Sequence, residues 1–283
     1  MAKTYCIGLL AAAMYAHCPG TEQVQAGQPS PVAAEISQQE MYSMLEDLCD
    51  ASDNHARGDI VIRELEAIGI DYQIQAFERE GNNYRNIIAK IDVENETANL
   101  AVSAHYDRVD VGCGVIDNGA GVAELISVLK EVKENPRTND LTFLFFDGEE
   151  EGLLGSAYYV ANIEEPFDAL FNFDLGAFGD TIRVSLGIAP PKFDETIYST
   201  ESLNQFVFEL CEEQGMPYIY INGSQDNVSF NRAGMPATGV GIIQGDPSIT
   251  EFHVNDETDT MQYVDRDILT KMRDFMLLIL DRY

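Results

Sequence analysis

The stretch AHYDRVDVGCGVIDNGAGVAE, residues 104–124, sets one histidine and four acidic side chains among apolar and glycine residues. His105 and Asp107 open it, and Asp117 stands near its middle. Downstream, Glu149 and Glu150 follow LTFLFFD, Asp174 ends ALFNFD, and His253 follows the apolar stretch GVGIIQGDPSITEF. A crevice that collects these side chains holds five or more carboxylates with few cations near them in sequence. Buried charge is costly unless it is paired or bound to metal, so a divalent metal cluster resolves the repulsion. Mixed His and carboxylate ligands suit zinc, with cobalt or manganese as reasonable substitutes; an all-oxygen set would favour magnesium or calcium. Two histidines and three carboxylates are what two metals sharing a bridging carboxylate need, and one further acid must stay free to move a proton.

The elements that position these residues follow from apolar periodicity. Residues 38–48 and 60–68 show helical spacing, the second after an exposed-looking SDNHARGD. DYQIQAFE and NIIAKIDV alternate as strands, and the nearly continuous apolar run NLAVSAH suits a strand buried on both faces. Residues 118–133 carry Val122, Leu125, Ile126, Leu129 and Val132 on one helical face. Then come the strand LTFLFFD, a helix through GSAYYVAN, the strand ALFNFD, and a closing helix over 265–283. The alternation predicts an α/β fold: a three-layer α/β/α sandwich with a mixed, mostly parallel central sheet. Sites in such sheets form at the carboxyl ends of the strands, where His105, Asp107, Glu149, Glu150 and Asp174 fall.

With 48 Asp and Glu against 17 Lys and Arg, the net charge is −31, a balance that repels a phosphate backbone and excludes nucleic acid as a partner. The apolar run over residues 5–16 has the length of a signal-peptide core and is too short to span a bilayer. Residues 1–20 are therefore expected to be a signal peptide or lipoprotein leader, with export to the periplasm or beyond. Cys18 is a candidate lipid anchor, although Tyr15, Ala16 and His17 before it fit that cleavage signal poorly. Residues 21–37 are expected as a flexible linker and 38–283 as one catalytic domain, without a transmembrane span. Removing the leader leaves Cys49, Cys113 and Cys211 if Cys18 is lost, an odd count that leaves a thiol free or intermolecular.

HYD, IDNGAG, GEEEGLLGS, NFD and FHVNDET occur in that order from about residue 86 to the C-terminus. Together they resemble the exported zinc aminopeptidases of the bacterial leucyl aminopeptidase type, in the wider family that also contains glutaminyl cyclases and glutamate carboxypeptidases. The resemblance implies two zinc ions per chain bridged by Asp117, with His105 and Asp174 on one ion and Glu150 and His253 on the other. It implies Glu149 as the general base acting on a bridging water and Asp107 as the carboxylate orienting His105. It also implies a non-proline cis peptide after the bridging aspartate, here Asp117–Asn118. Asp110 and Glu124 are then solvated or structural. Asp147 is either a supporting or a plain strand-end acid. Cys113, Glu151, His17 and His55 receive no role.

Two departures touch the finer assignments. Where the family often reads Ser-Asp-His, this chain has Gln225, Asp226 and Asn227, and where some relatives carry an oxyanion-holding tyrosine it has Asn222, with Tyr220 two residues earlier. Glu257 stands where an aspartate is usual. The leading expectation is a monomeric aminopeptidase acting on peptides. The rival is a single-zinc glutaminyl cyclase. Against it, GEEEGLLGS runs straight through where cyclases carry a tryptophan-containing insertion, and the chain has no tryptophan. A carboxypeptidase needs a cationic clamp, for which Arg232 and Arg108 are the nearby arginines. A non-catalytic receptor-like relative should have lost ligands that are all present here, and no G-x-S-x-G elbow supports a serine hydrolase. The loops over 186–202 and 218–224 are expected to shape the pocket for the substrate's N-terminal side chain.

Overall fold

The computed structural model describes residues 31–94, 96–188, 196–245 and 257–283, with side chains from residue 37 onward. Nine strands form one mixed sheet: β1 (Tyr72–Arg79), β2 (Asn82–Ile91), β3 (Asn99–His105), β4 (Asp140–Phe146), β5 (Ala169–Phe173), β6 (Thr181–Ile188), β7 (Ile197–Tyr198), β8 (Tyr218–Asn222) and β9 (Ala237–Ile243). The order is β1-β2-β4-β3-β5-β9-β6-β7, with β8 also paired to β6. The centre is parallel, β4 to β3, β3 to β5 and β5 to β9. Antiparallel pairing frames it, through β1, β2 and β4 on one side and through β9, β6 and β7 on the other.

The apolar runs of the central strands are continuous because both faces are covered. Leu100, Val102, Ala104, Phe143, Phe145 and Phe171 enter the larger core, whereas Ala101, Leu144, Phe146 and Leu170 enter a smaller one on the opposite face. The larger core is closed by α1 (Pro31–Asp50), α2 (Asn54–Ile68), α3 (Ala120–Glu134), α5 (Glu201–Gln214) and α7 (Arg266–Arg282). The smaller is closed by α4 (Leu154–Asn162) and α6 (Asn227–Arg232), whose Tyr159 and Phe230 rings lie 6.0 Å apart. This is the expected three-layer α/β/α arrangement.

Three local differences from expectation have physical causes. The first helix begins at Pro31, inside the segment 21–37 expected as a linker. SDNHARGD is largely the opening of α2: Asp53 caps it by accepting the Ala56 N–H at 2.8 Å. Arg57, Val61 and Leu65 then form one fully buried face, so the polar composition concealed an inward-facing cation. The segments expected as pocket loops contain β7 and β8. Strand β8 lies on the sheet margin with its Tyr218 and Tyr220 rings 4.3 Å and 4.5 Å from that of Phe208 on α5, so its apolar alternation has no deeply buried face. Residues 1–30, where the leader and the candidate lipid anchor Cys18 are expected, lie outside the described residues. Among the described residues no helix is long and apolar enough to cross a membrane.

A disulfide joins Cys49 at the end of α1 to Cys113 in the loop after β3, a sequence separation of 64, and Cys211 is a buried free thiol. Closing a loop of that length restricts the unfolded chain by about 4 kcal/mol in the chain-entropy account. Reduction is therefore expected to lower the thermal midpoint of the folded protein. An unchanged midpoint after verified reduction would contradict that account.

Candidate metal centre

His105 ends β3 with its ring buried, and the carboxyl ends of β4 and β5 deliver Glu149, Glu150 and Asp174 to the same crevice. Ligand atoms of His105, Asp117 and Asp174 all lie within 4.8 Å of one another, and all three residues are buried. His105 Nε2 is 3.1 Å from Asp117 Oδ1, and its Nδ1 is 3.3 Å from Asp107 Oδ1. An imidazole and two carboxylates held this close and this deep form a nitrogen–oxygen donor set that fits a borderline divalent cation such as zinc. Glu150 lies outside this trio; it is half-buried, and its Oε1 is buried without a hydrogen-bond partner among the described residues. His253 lies outside the described residues.

Asp117 sits in a tight turn over residues 115–119, and the Asp117–Asn118 peptide is cis, as the resemblance implies. Two clamps hold this turn. Asp259 accepts the N–H groups of Val115 at 3.0 Å, Ile116 at 2.8 Å and Asp117 at 3.0 Å. Asn118 Nδ2 donates to the Phe173 carbonyl at 2.8 Å, tying the turn to the strand end that carries Asp174. Asp107 does comparable work across the crevice. Its Oδ1 and Oδ2 accept the N–H groups of Glu149 and Glu150, each at 3.1 Å, so one carboxylate touches His105 and fixes the Glu149–Glu150 turn. Asp147 is a buried supporting acid: its Oδ2 accepts the Arg85 N–H at 3.0 Å and lies 3.0 Å from the Tyr106 hydroxyl.

Behind this surface lies Arg57, with no exposure to solvent. Its guanidinium donates to the carbonyls of Leu48 at 2.9 Å, Cys113 at 3.0 Å, Gly114 at 2.9 Å and Tyr106. Burial, with help from Arg108, lowers its pKa to about 10, and Asp107, Asp259 and Asp117 act in the opposite direction. It therefore stays charged near neutrality.

The acids respond to crowding and burial. Burial, together with Asp226, Asp174 and Asp107, raises the Glu149 carboxyl well above the usual range, with His105 opposing. Burial and Asp117 push Glu150 up to about 7. Asp226, buried with both oxygens lacking a hydrogen bond among the described residues, is pushed by burial up to about 7. Burial and Asp117 raise Asp174 as well, and Arg183 is the largest influence drawing it back. Burial disfavours a charged His105 ring, but hydrogen bonds to Asp107 and Asp117 outweigh it and raise its pKa.

Several expectations need refinement. Glu124 is buried, so it is structural and not solvated, and burial raises its carboxyl. Cys113 is committed to the disulfide and offers no ligand. Tyr220 packs its ring edge-on against Phe208 of α5, leaving it committed to that helix. Sequence reasoning missed Arg57, Asp259 and Arg183. The i, i+4, i+8 spacing of Arg57, Val61 and Leu65 was a usable signal for the first. For Asp259 no spacing points to the turn that it clamps.

Residues 86–280 match peptidase family M28. Aminopeptidase YwaD of Bacillus subtilis is 27% identical over 62% of this chain and 39% of its own length. The chain spans 30% to 39% of the length of such curated relatives. The fold is similar to that of the Porphyromonas gingivalis glutaminyl cyclase, with a TM-score of 0.70, 21% identity, and coverage of 86% of this chain and 97% of that one. It is also similar to BSAP, a zinc aminopeptidase from Bacillus subtilis, with a TM-score of 0.59, 23% identity, and coverage of 71% and 50%.

Two predictions follow from the geometry. Arg57→Met removes the donor from four carbonyls in a buried setting and is expected to cost about 3 kcal/mol or more, read by denaturant unfolding; a loss below about 1 kcal/mol would show that the carbonyls find other donors. The second concerns pH. Raised carboxyls bind protons in the folded state between roughly pH 4.5 and 7 that the unfolded chain has released, so the metal-free protein should lose stability as pH rises through that window. Thermal melts after chelation should show the decline, and added zinc should raise the midpoint most at the upper end; a flat profile contradicts the crowding.

Proposed function

The chain belongs to peptidase family M28, and from that membership we propose that it is a zinc-dependent aminopeptidase that hydrolyses N-terminal residues from peptides. The observation that carries the reading is the buried trio His105, Asp117 and Asp174 with Glu149 raised in pKa beside it. His105, Asp117, Glu150, Asp174 and His253 would hold the zinc, two ions per chain in this reading. When bound, the zinc supplies a Lewis acid that polarises the scissile carbonyl and acidifies water.

The chain's own residues divide the remaining tasks. Glu149 is the general base: its carboxylate takes the proton of the attacking water and returns it to the leaving amine nitrogen, work suited to an acid that burial makes more basic than an ordinary carboxylate. Asp107 holds both the His105 ring and the Glu149 backbone, so base and ligand keep a common reference. Only four residues separate Glu149 from α4, so the turn carries no long insertion; this favours hydrolysis over the cyclase reading. We also propose that the protein is exported, which the Cys49–Cys113 disulfide supports, since such bonds persist in oxidising compartments.

The test uses the zinc-loaded protein with a panel of aminoacyl anilides and an N-terminal glutaminyl peptide. Release of aniline is expected, and Glu149→Gln should lower kcat on the order of 10²- to 10⁴-fold while metal content is retained. Pyroglutamate and ammonia from the glutaminyl peptide, without aniline release, would replace this reading with the cyclase one.

A further inference from the structure

Arg183 stands in the middle of β6 between Ile182 and Val184, both of which enter the larger core. Its side chain therefore points to the other face of the sheet. There it lies opposite Gly241 of β9, which faces the same way because Val240 and Ile242 also enter that core. Gly241 lies against the site itself: a Cβ added to it would come within 1.9 Å of the Asp174 carbonyl oxygen. On its other side Arg183 pairs with Ile219 of β8, which is 48% exposed, and its Nη2 lies 3.3 Å from where a Cβ of Gly223 would be.

Arg183 is half-buried and takes part in no hydrogen bond or ion pair among the described residues. Its cross-strand neighbour Gly241 nevertheless sets it beside the backbone of Asp174. In a chain with 17 basic residues against 48 acidic ones, a guanidinium with no anion paired to it among the described residues stands out beside an acidic crevice. With the neighbouring carboxylates engaged by metal, its five donors would offer an incoming anion a cationic partner at the edge of the crevice. Its planar fork suits a carboxylate, and the Ile219 side chain beside it can cover the methylenes of a short acidic chain.

We propose that Arg183 is a specificity-determining residue that receives the side-chain carboxylate of a substrate with an N-terminal glutamate or aspartate. The inference rests on the aminopeptidase reading and names its substrate class. An α-carboxylate at the far end of a very short peptide is the other source of the same chemistry, and the experiment separates the two.

The zinc-loaded full chain is assayed with glutamyl, aspartyl and leucyl anilides as wild type, Arg183→Leu and Arg183→Lys. The wild type should favour the acidic anilides, and Arg183→Leu should lower the ratio of glutamyl to leucyl kcat/KM on the order of tenfold or more, with partial recovery in Arg183→Lys. An equal loss on all substrates, or a wild-type preference for leucyl anilide, would overturn the proposal. Cleavage of Leu-Ala but not its C-terminal amide, with dependence on Arg183, would reassign the carboxylate to the peptide's end and also overturn it. If no anilide is cleaved, the aminopeptidase reading fails separately. Calorimetric titration of free glutamate and leucine then decides: tighter glutamate binding, lost in Arg183→Leu, upholds the assignment, and equal binding refutes it.

Discussion

A guanidinium removed from solvent must be surrounded by dipoles, and Arg57 draws four main-chain carbonyls around itself. Those carbonyls come from three places: the end of α1, the residue between His105 and Asp107, and the loop that leads into Asp117. The charge thus ties together the strand end that carries one proposed ligand and the turn that carries another. Each segment is also held separately, Tyr106 by the Phe146 carbonyl and the turn by Asp259, and the guanidinium adds a direct tie between them. The Cys49–Cys113 disulfide joins α1 to the same loop, where Arg57 donates to the Cys113 and Gly114 carbonyls. The cation also lies within the field of Asp107, Asp117 and Asp259, which makes the concentration of acids above it tolerable.

Those acids separate into two kinds by what their oxygens touch. Asp107 and Asp259 accept main-chain N–H groups with both oxygens, and each fixes a turn that holds other site residues. Glu149, Glu150 and Asp226 accept no such bonds from the described chain, so burial and mutual repulsion drive their carboxyls upward. Hydrogen-bonded carboxylates form the rigid support, and the poorly satisfied ones are left for a metal ion or a proton. The crevice is built from one kind of side chain used in two electrostatic conditions.

Much of this was legible in the sequence because the central strands carry their function at their ends. NLAVSAH and LTFLFFD read as doubly buried strands and terminate in β3 and β4 within a residue of expectation. The candidate ligands then follow, since a parallel strand places its last residues in the crevice. What could not be read were residues whose role depends on long-range packing. Arg57 sits in the polar octapeptide SDNHARGD, and only its helical phase with Val61 and Leu65 marks it as inward-facing. Asp259 reaches a turn 142 residues away. Strand β6 has one covered face and one partly open face and β8 has no deeply buried face, so they lack the continuous apolar signal that marked the centre, and the stretch containing β8 reads as a loop.

The division of the sheet into a parallel centre and an antiparallel margin also divides chemistry from recognition. At the centre, the crossover helices force successive strand ends to one side, and position there is dictated by the fold. Along β6 the constraint is weaker: alternate residues belong to the core and to the crevice wall, so a residue such as Arg183 can change without disturbing Ile182 or Val184. Gly241 gives the opposite case. Its notional side chain would collide with the backbone at Asp174, so that position can carry no group that reads a substrate. Between these two cross-strand neighbours, only Arg183 carries a side chain that can read the substrate we propose, while the acids at the central strand ends form the candidate metal centre.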